Sequence, residues 1–353
     1  MHPWHDFVPG DWNKEINVRD FIQKNYTPYD GDAAFLTPAS SKTSQLWSRC
    51  KALLRLEHEH NGVLKVDGSK PIGINSHGPG YIDKDLEIIV GLQTDEPLKR
   101  GVNVYGGLNN AIKACEAYDV RLDPDMVEFF RLHRRTHNDG VFAVYTPEMR
   151  LARSVGAITG LPDSYGRGRI IGDYRRVPLY GVDFLIDGKK KELENMSTYM
   201  SAENIRLREE ITYQIEALQE LKQMAASYGY DISSPAGNAC EAVQWLYFAY
   251  LAAIKEQNGA AMSLGRVANF LDIYLERDIA KEIITEEEAQ ELIDQLVIKL
   301  RFVRHLRTPE YSLLFAGDPN WVTESIGGAG VDGRHMVTKS SYRILQTLYN
   351  LGP

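Results

Sequence analysis

An arginine- and glycine-rich stretch, residues 160–181, has the residue types in this sequence that are best suited to bind a small anion. Four arginines fall within ten residues and three glycines accompany them: Arg167, Arg169, Arg175 and Arg176, with Gly166, Gly168 and Gly172. A guanidinium group presents a rigid fork of donors that matches a carboxylate or a phosphate, and glycine lets the backbone approach a ligand closely. The pattern therefore predicts a loop that holds an anion in one orientation. The alternative is a surface loop whose arginines pair with acidic neighbours, since short motifs often arise by chance.

The histidines and cysteines indicate no metal site. His77 lies in a loop rich in glycine and proline, where we expect a turn residue rather than a catalytic base. His133 and His137 have the spacing of one helix face, but no glutamate follows the first of them as a zinc-protease motif requires. The three cysteines are too far apart for a Cys-x-x-Cys metal motif and too few for a disulfide framework: Cys50, Cys115 and Cys240.

A cluster of glycines at residues 327–330 resembles a phosphate-binding loop only in part. It lacks the lysine and the hydroxyl residue of a P-loop, and its spacing is not that of a dinucleotide motif. Because glycine readily adopts the backbone angles of tight turns, the cluster predicts a turn.

The composition is that of a globular protein that does not bind nucleic acid or span a membrane. Of 353 residues, 43% are apolar, and 48 acidic against 40 basic residues give a formal net charge of −8. A general nucleic-acid binder normally has a basic excess. The longest apolar run, residues 245–254, is too short to cross a bilayer, and the first residues lack the basic and apolar regions of a secretory signal. We therefore expect a cytoplasmic location.

The periodicity of the apolar residues predicts a helix-rich α/β protein. An extended arm, residues 1–40, should contain one short helix at 18–25. Further helices are predicted at 45–58, 109–118, 124–133, from near Arg175, and at 202–227, 236–257, 285–306 and 340–351, with strands at 102–105 and 141–145. Ser201 can cap the helix at 202–227, and Thr285 with Glu288 forms a capping box. The helix at 236–257 is apolar on nearly every side and should lie in the middle of the protein.

Three runs of sequence closely resemble the pyruvate formate-lyase family of glycyl radical enzymes. They are NVRDFIQKNYTPY at 17–29, GLPDSYGRGRIIGDYRR at 160–176, and RTPEY at 307–311 followed by GDPNWVTESIGG at 317–328. The resemblance covers essentially the whole chain, which implies that residues 1–353 are the amino-terminal portion of a single domain. It also implies the first part of a ten-stranded α/β barrel, incomplete in this chain, with the catalytic loop threaded through the barrel interior.

The resemblance implies an activity as well. The family enzyme is formate C-acetyltransferase, an acyltransferase that converts pyruvate and coenzyme A to acetyl-CoA and formate in anaerobic glucose fermentation. In the family, a separate activating enzyme that uses S-adenosylmethionine and an iron–sulfur cluster generates a backbone glycyl radical, which passes to a pair of adjacent cysteines. The expected partners are therefore pyruvate, coenzyme A, the activating enzyme and a second copy of the chain in a homodimer, with no metal in the chain itself.

By the same resemblance, five residues are candidates for substrate binding. Arg169 matches the arginine that binds the pyruvate carboxylate. Ala260, Phe315 and Trp321 match an apolar wall, which would exclude water that quenches a radical or hydrolyses an acetyl thioester. Phe142 matches the aromatic residue that stacks on the adenine of coenzyme A. The alternatives are a buried salt bridge for Arg169 and ordinary core packing for the aromatic residues.

The sequence departs from the family pattern where the radical chemistry takes place. The family's cysteine pair, second pyruvate-binding arginine and radical glycine lie in a carboxy-terminal portion that this sequence does not contain, and none of its cysteines has a cysteine neighbour. We therefore expect one side of the substrate pocket, no catalytic residue in this chain, and no activity of the chain alone. The alternative is a non-catalytic module that binds anions or associates with a full-length partner.

Overall fold

Helices make up most of the structure, a computed structural model that describes residues 4–103, 107–133, 144–158, 169–257, 261–314 and 322–352. After a short 3₁₀ turn at Asp11–Asn13, the α-helices in chain order are α1 (Val18–Asn25), α2 (Ser41–Glu59), α3 (Leu108–Ala117), α4 (Pro124–His133), α5 (Pro147–Ser154), α6 (Arg176–Tyr180), α7 (Val182–Glu194), α8 (Ala202–Ser227), α9 (Ala239–Glu256), α10 (Ala268–Ala280), α11 (Glu286–Arg301), α12 (Pro309–Leu314) and α13 (Lys339–Leu351). The strands are β1 (Lys65–Ile72), β2 (Lys99–Asn103), β3 (Arg169–Ile171) and β4 (Ala261–Ser263). Within these ranges, no helix combines the length and the apolar character needed to cross a bilayer.

Helix α9 forms the centre of the hydrophobic core. Most of its side chains are buried, including the aromatic rings of Tyr247, Phe248 and Tyr250. Helices α6, α8, α10 and α11 pack around it. Since full burial of one large apolar side chain contributes about 1.5–3 kcal/mol, hydrophobic stabilisation is concentrated on this helix. The predicted buried helix at 236–257 is confirmed.

A buried amide fixes the loop that crosses α9. Gln244 donates its Nε2 to the carbonyl oxygen of Val90 at 2.9 Å, and its Oε1 accepts the N–H of Val90 at 2.7 Å. Tyr247 donates its hydroxyl to the carbonyl oxygen of Gly91 at 3.0 Å. These side chains satisfy backbone groups that a loop inside the core would otherwise leave unpaired.

The described strands pair in parallel, β1 with β2 and β3 with β4. In the first pair, Lys65 lies opposite Lys99, and the register shifts between Asp67 and Pro71, where β1 is irregular. All five residues of β2 are buried. A strand that is covered on both faces in this way belongs in the interior of an α/β fold.

The strands were harder to predict from sequence than the helices. The predicted strand at 102–105 overlaps β2, but the sequence patterns indicated none of the other three strands. Gly68 and Pro71 disfavour a regular strand, so the sequence of β1 is typical of a loop. Of the predicted strand at 141–145, only the last two residues are described, and Val144 is helical, so the prediction is wrong at that end.

The amino-terminal arm packs onto the helical core through aromatic side chains. Phe7, Trp12 and Phe21 contact one another edge to face, with ring centroids 4.9–6.4 Å apart. The hydroxyl of Tyr180, in α6, accepts a hydrogen bond from Asn17 N at 2.8 Å and donates to Trp12 O at 2.9 Å. The arm is therefore held against α6, and the predicted short helix at 18–25 is confirmed as α1.

Capping residues set where two of the long helices begin. Ser201 accepts a hydrogen bond from Asn204 N at the start of α8. Thr285 and Glu288 bond each other's backbone N–H groups at the start of α11. Both caps are the predicted ones, and each satisfies N–H groups that have no partner inside the helix.

A glycine separates α6 from α7. Gly181 has a φ of 74°, and a Cβ added there would lie 2.5 Å from the carbonyl oxygen of Ser233. Only glycine fits a positive φ with so little room. The helix predicted to begin near Arg175 is accordingly divided in two.

A buried arginine joins α13 to α10 and α11. The Arg343 side chain is 1% exposed, and its Nη2 lies 2.7 Å from Glu276 Oε1 and 2.5 Å from Glu286 Oε2. Asp272 Oδ1 is 3.7 Å from Nη1 of the same guanidinium. Lys339 Nζ lies 3.1 Å from Glu276 Oε2 and 2.9 Å from Glu286 Oε1. Without Arg343, three carboxylates would be left close together with one cation between them.

Arg343→Met should lower the free energy of unfolding by about 3 kcal/mol, because removal of one member of a buried ion pair leaves uncompensated charge. Urea unfolding followed by circular dichroism measures the change. The matched control is Arg49→Met, since the Arg49 side chain is 65% exposed in its pair with Asp83 and such exposed pairs contribute little. Equal unfolding midpoints for the two variants would contradict the prediction.

Candidate functional site

Three parallel segments lie side by side and pair through main-chain hydrogen bonds. We call them the pocket ribbon: β3, residues 261–265 and residues 323–325. In the first pairing, Arg169 lies opposite Ala261. In the second, Gly265 N donates to Thr323 O at 3.2 Å and Gly265 O accepts from Ser325 N at 2.6 Å. The ribbon thus joins parts of the chain that are about 60 to 155 residues apart in sequence.

The segments of the pocket ribbon contain or lie next to three of the predicted substrate residues in sequence. Arg169 is in β3, Ala260 directly precedes β4, and Trp321 lies two residues before the third segment. The side chain of Arg169 lies outside the described part of the chain, and so do Phe142, Ala260, Phe315 and Trp321. The contacts of these five side chains therefore stay predictions, while the proximity of the segments around three of them is a finding.

Glu324, in the third segment of the ribbon, caps helix α10. Its Oε1 accepts hydrogen bonds from Val267 N at 2.8 Å and from Ala268 N at 2.9 Å. Val267 occupies the N-cap position and supplies no side-chain acceptor. A carboxyl group from another segment therefore satisfies the first N–H groups of this helix.

The Glu324 carboxyl is held in a buried environment. Burial raises its pKa from the ordinary 4.5 to about 7, against the opposing effects of the two N–H donors and of Arg175 and Arg266. Its Oε2 is buried and accepts no hydrogen bond from the described residues. A carboxyl group with a pKa near neutrality changes its charge close to physiological pH.

Two arginines of the predicted anion loop pair with an aspartate of the chain itself. Arg175 donates its Nε to Asp173 Oδ1 at 2.7 Å, and Arg176 Nε lies 3.5 Å from Asp173 Oδ2. For these two residues, the alternative of pairing with an acidic neighbour is correct. The prediction of an anion site is left to Arg167 and Arg169, whose side chains lie outside the described residues.

A turn beside the ribbon confirms the prediction made from the glycine cluster at 327–330. Gly328 has a φ of 97°, and a Cβ added there would lie 2.8 Å from Arg266 Nη2. Met336 N closes the turn by donating to Gly328 O at 2.8 Å. The carbonyl oxygen of Arg266 accepts a hydrogen bond from Arg175 Nη1 at 3.1 Å, which connects the turn to the residues that follow β3.

Buried amides fix the end of α9, which leads to the predicted substrate residue at position 260. Asn103, the last residue of β2, donates its Nδ2 to Lys255 O at 2.7 Å, and Gln93 donates its Nε2 to Ile254 O at 3.2 Å. The buried Lys255 Nζ donates to Ile74 O at 2.9 Å, and burial lowers the pKa of this lysine to about 8. The last turn of α9 is therefore held by three polar side chains.

A buried histidine belongs to the same cluster. His305 Nδ1 lies 3.4 Å from Asn103 Oδ1, and the next residue back, Arg304, donates its N–H to Gln93 Oε1 at 2.7 Å. Burial, with nearby arginines, lowers the pKa of His305 well below its ordinary value, so the ring is neutral. No local pattern marks these polar residues, because spacing alone does not distinguish them from surface residues.

His77, which we expect to be a turn residue bonded to nearby backbone, is buried and lies next to two polar side chains instead. His77 Nδ1 lies 3.2 Å from Ser76 Oγ, and its Nε2 lies 3.3 Å from Asp67 Oδ2. Burial lowers the pKa of His77. Among the residues that the structure describes, no group of three or more His, Cys, Asp and Glu side chains is arranged to hold a metal ion. His137 lies outside those residues.

Solved glycyl radical enzyme structures share this fold. The B12-independent glycerol dehydratase of Clostridium butyricum superposes with a TM-score of 0.66 at 19% identity, covering 91% of this chain and 47% of the dehydratase chain. A glycyl radical enzyme from Archaeoglobus fulgidus gives a TM-score of 0.58 at 16% identity, covering 94% of this chain and 46% of its own. The predicted fold class is confirmed: the chain has a helix-rich portion of the glycyl radical enzyme barrel.

The chain belongs to the pyruvate formate lyase-like family. A model of that family matches residues 10–353. The formate acetyltransferase of Haemophilus influenzae is 57% identical over 354 residues, which are 99% of this chain and 46% of that protein. The chain therefore spans under half the length of this relative. The resemblance inferred from the three sequence runs is confirmed.

The stability contributed by Glu324 should fall as the pH rises. Its folded-state pKa of about 7 lies above the ordinary 4.5, so the folded chain keeps a proton that the unfolded chain has released. The contribution is fully present below about pH 4.5 and is lost as the pH rises through 7, with a magnitude on the order of 2 kcal/mol. Glu324→Gln cannot ionise and should lack this component.

Urea unfolding of the parent chain and of Glu324→Gln at pH 5, 6, 7 and 8 measures the effect. The difference in unfolding free energy between the two chains isolates Glu324 from the other ionisable groups. A difference that stays constant from pH 5 to pH 8 would show that the carboxyl titrates outside this range.

Proposed function

We propose that this chain supplies one side of the pyruvate pocket of a formate acetyltransferase, an acyltransferase that forms acetyl-CoA and formate from pyruvate and coenzyme A. The observation that carries the proposal is the 57% identity to the Haemophilus influenzae formate acetyltransferase. The pocket ribbon supports it, because its three segments lie side by side. The first contains Arg169, the second directly follows Ala260, and the third begins two residues after Trp321. The proposed setting is anaerobic glucose fermentation in the cytoplasm.

Each candidate residue has a role that fits its chemistry. Arg169 binds the pyruvate carboxylate through paired N–H donors and so orients the bond between the carboxylate and the carbonyl carbon. Ala260, Phe315 and Trp321 form an apolar wall that keeps water from reactive species. Phe142 stacks on the adenine of coenzyme A.

The remainder of the enzyme, with the cysteine pair and the radical glycine, supplies the radical chemistry that cleaves the carbon–carbon bond. This chain therefore holds and orients the substrate, and it has no activity alone. A radical activating enzyme that uses S-adenosylmethionine and a second copy of the chain in a homodimer are the proposed partners.

The test is a chimera in which this chain replaces the matching 46% of the Haemophilus influenzae enzyme. With activating enzyme, S-adenosylmethionine, pyruvate and coenzyme A in the absence of oxygen, the chimera should release formate and give the paramagnetic resonance signal of a glycyl radical. The isolated chain should do neither. Formate from the isolated chain would contradict the claim that it is inactive, and a chimera that forms the radical without formate would contradict the pocket.

Arg169→Lys in the chimera should lower kcat/KM for pyruvate by roughly 10- to 150-fold, because a hydrogen bond to a charged group contributes about 1.5–3 kcal/mol and lysine cannot form the paired bonds. Initial rates of formate release at varied pyruvate concentration give the ratio. Arg49→Lys is the control, since the Arg49 side chain is 65% exposed and pairs with Asp83 away from the pocket ribbon. A glycyl radical signal of parental size in both variants excludes a defect in activation. Parental kcat/KM in Arg169→Lys would remove Arg169 from the pocket.

A further inference from the structure

Residues 264–268 connect the end of strand β4 to the start of helix α10, and we call them the corner. Two N–H groups in this corner, those of Val267 and Ala268, bond to Glu324 Oε1 and receive no side-chain cap from Val267 itself. Unpaired N–H groups at a helix start carry a desolvation cost. The position of this corner is therefore coupled to the position of Glu324.

The backbone on either side of Glu324 bonds the same corner. Leu264 N and Gly265 N donate to Thr323 O at 3.0 and 3.2 Å, and Ser325 N donates to Gly265 O at 2.6 Å. The main-chain hydrogen bonds fix residues 323–325 beside the corner. The Glu324 side chain fixes the same residues against the start of α10. The Glu324 side chain and these main-chain bonds together set the distance between the chain that leaves Trp321 and the chain that leaves Ala260.

Charged groups surround the Glu324 carboxyl on two sides. Arg175 follows β3 and is neutralised by Asp173, and Arg266 lies in the corner itself. Only Oε1 of the carboxyl is used by the described residues, since Oε2 is buried and accepts no bond from them. Oε1 acts here as the acceptor of two N–H groups, and an amide oxygen can accept in its place.

We propose that Glu324 is the positioning residue of the pyruvate pocket: by accepting the first hydrogen bonds of α10, it fixes the segment that follows Trp321 against the strand that follows Ala260. The proposal rests on the proposed function, because it takes this pocket to be the one that receives pyruvate. Glu324 acts through the two segments and does not itself contact the substrate.

Hydrogen–deuterium exchange of the isolated chain, read by mass spectrometry, tests the structural part without any activity. Glu324→Ala should speed exchange at least tenfold in peptides that cover 264–270 and 322–328. Glu324→Gln, which keeps the acceptor, should stay within about threefold of the parent. Thr285→Ala is the matched control, because it removes a helix cap that α11 builds from its own Glu288 and should speed exchange at the start of α11 only.

Unchanged exchange in Glu324→Ala, or equal acceleration in Glu324→Ala and Glu324→Gln, would overturn the proposal. If Glu324→Ala does not fold, Glu324→Asp replaces it, since a side chain one methylene shorter cannot reach both N–H groups and should speed exchange in the same peptides.

Steady-state kinetics of the chimera test the link to substrate. Glu324→Ala should raise KM for pyruvate about tenfold with an unchanged glycyl radical signal, and Glu324→Gln should restore the parental KM. If Glu324→Ala only destabilised the fold, the folded fraction and hence the apparent kcat would fall while KM stayed unchanged. That result would overturn the positioning role. An inactive parent chimera would count against the proposed function alone, because the exchange comparison still decides what Glu324 does.

Discussion

Burial of most of α9 is the constraint on which the rest of the described structure depends. A helix that is apolar all round must be enclosed, and here four helices and the loop bonded by Gln244 enclose it. Its last turn is then fixed from outside by Asn103 and Gln93. The end of α9 is therefore fixed in the core, five residues before the second segment of the pocket ribbon begins at Ala261.

The sequence predicted the parts of the fold whose signals are local. The periodicity of α8 and α9, the cap at Ser201 and the capping box at Thr285 each depend on neighbours within a few residues, and each was found in the structure. Strands β3 and β4 have only three residues each, and they exist because they pair across about 90 residues of chain. No local pattern carries that information. The family followed from long ordered runs of sequence, which are more specific than any periodicity.

Buried polar residues mark the limit of prediction at the candidate site. Glu324 is 57 residues from Val267, and Asn103 is 152 residues from Lys255, so their bonding partners are invisible in the sequence around them. In sequence, an isolated glutamate or asparagine is indistinguishable from a surface residue. Arg175 and Arg176 show the converse. The cluster of arginines predicts an anion site, but these two arginines pair with Asp173 of the same chain. The role of Arg169 came from the family and not from its neighbours.

The contacts of the amino-terminal arm bear on how this chain folds as it is made. Trp4 Nε1 donates to Leu179 O at 2.7 Å, 175 residues further on, and Arg334 Nη2 donates to Gln23 O at 2.8 Å across 311 residues. At a translation rate of roughly 5–20 residues per second, Gln23 waits about 15–60 s for Arg334 to be synthesised. Until residues 179–184 and Tyr274 have been synthesised, the aromatic rings of Trp4 and Phe7 lack the surfaces on which they finally rest. The amino-terminal arm is thus among the last parts of this chain to reach its native place.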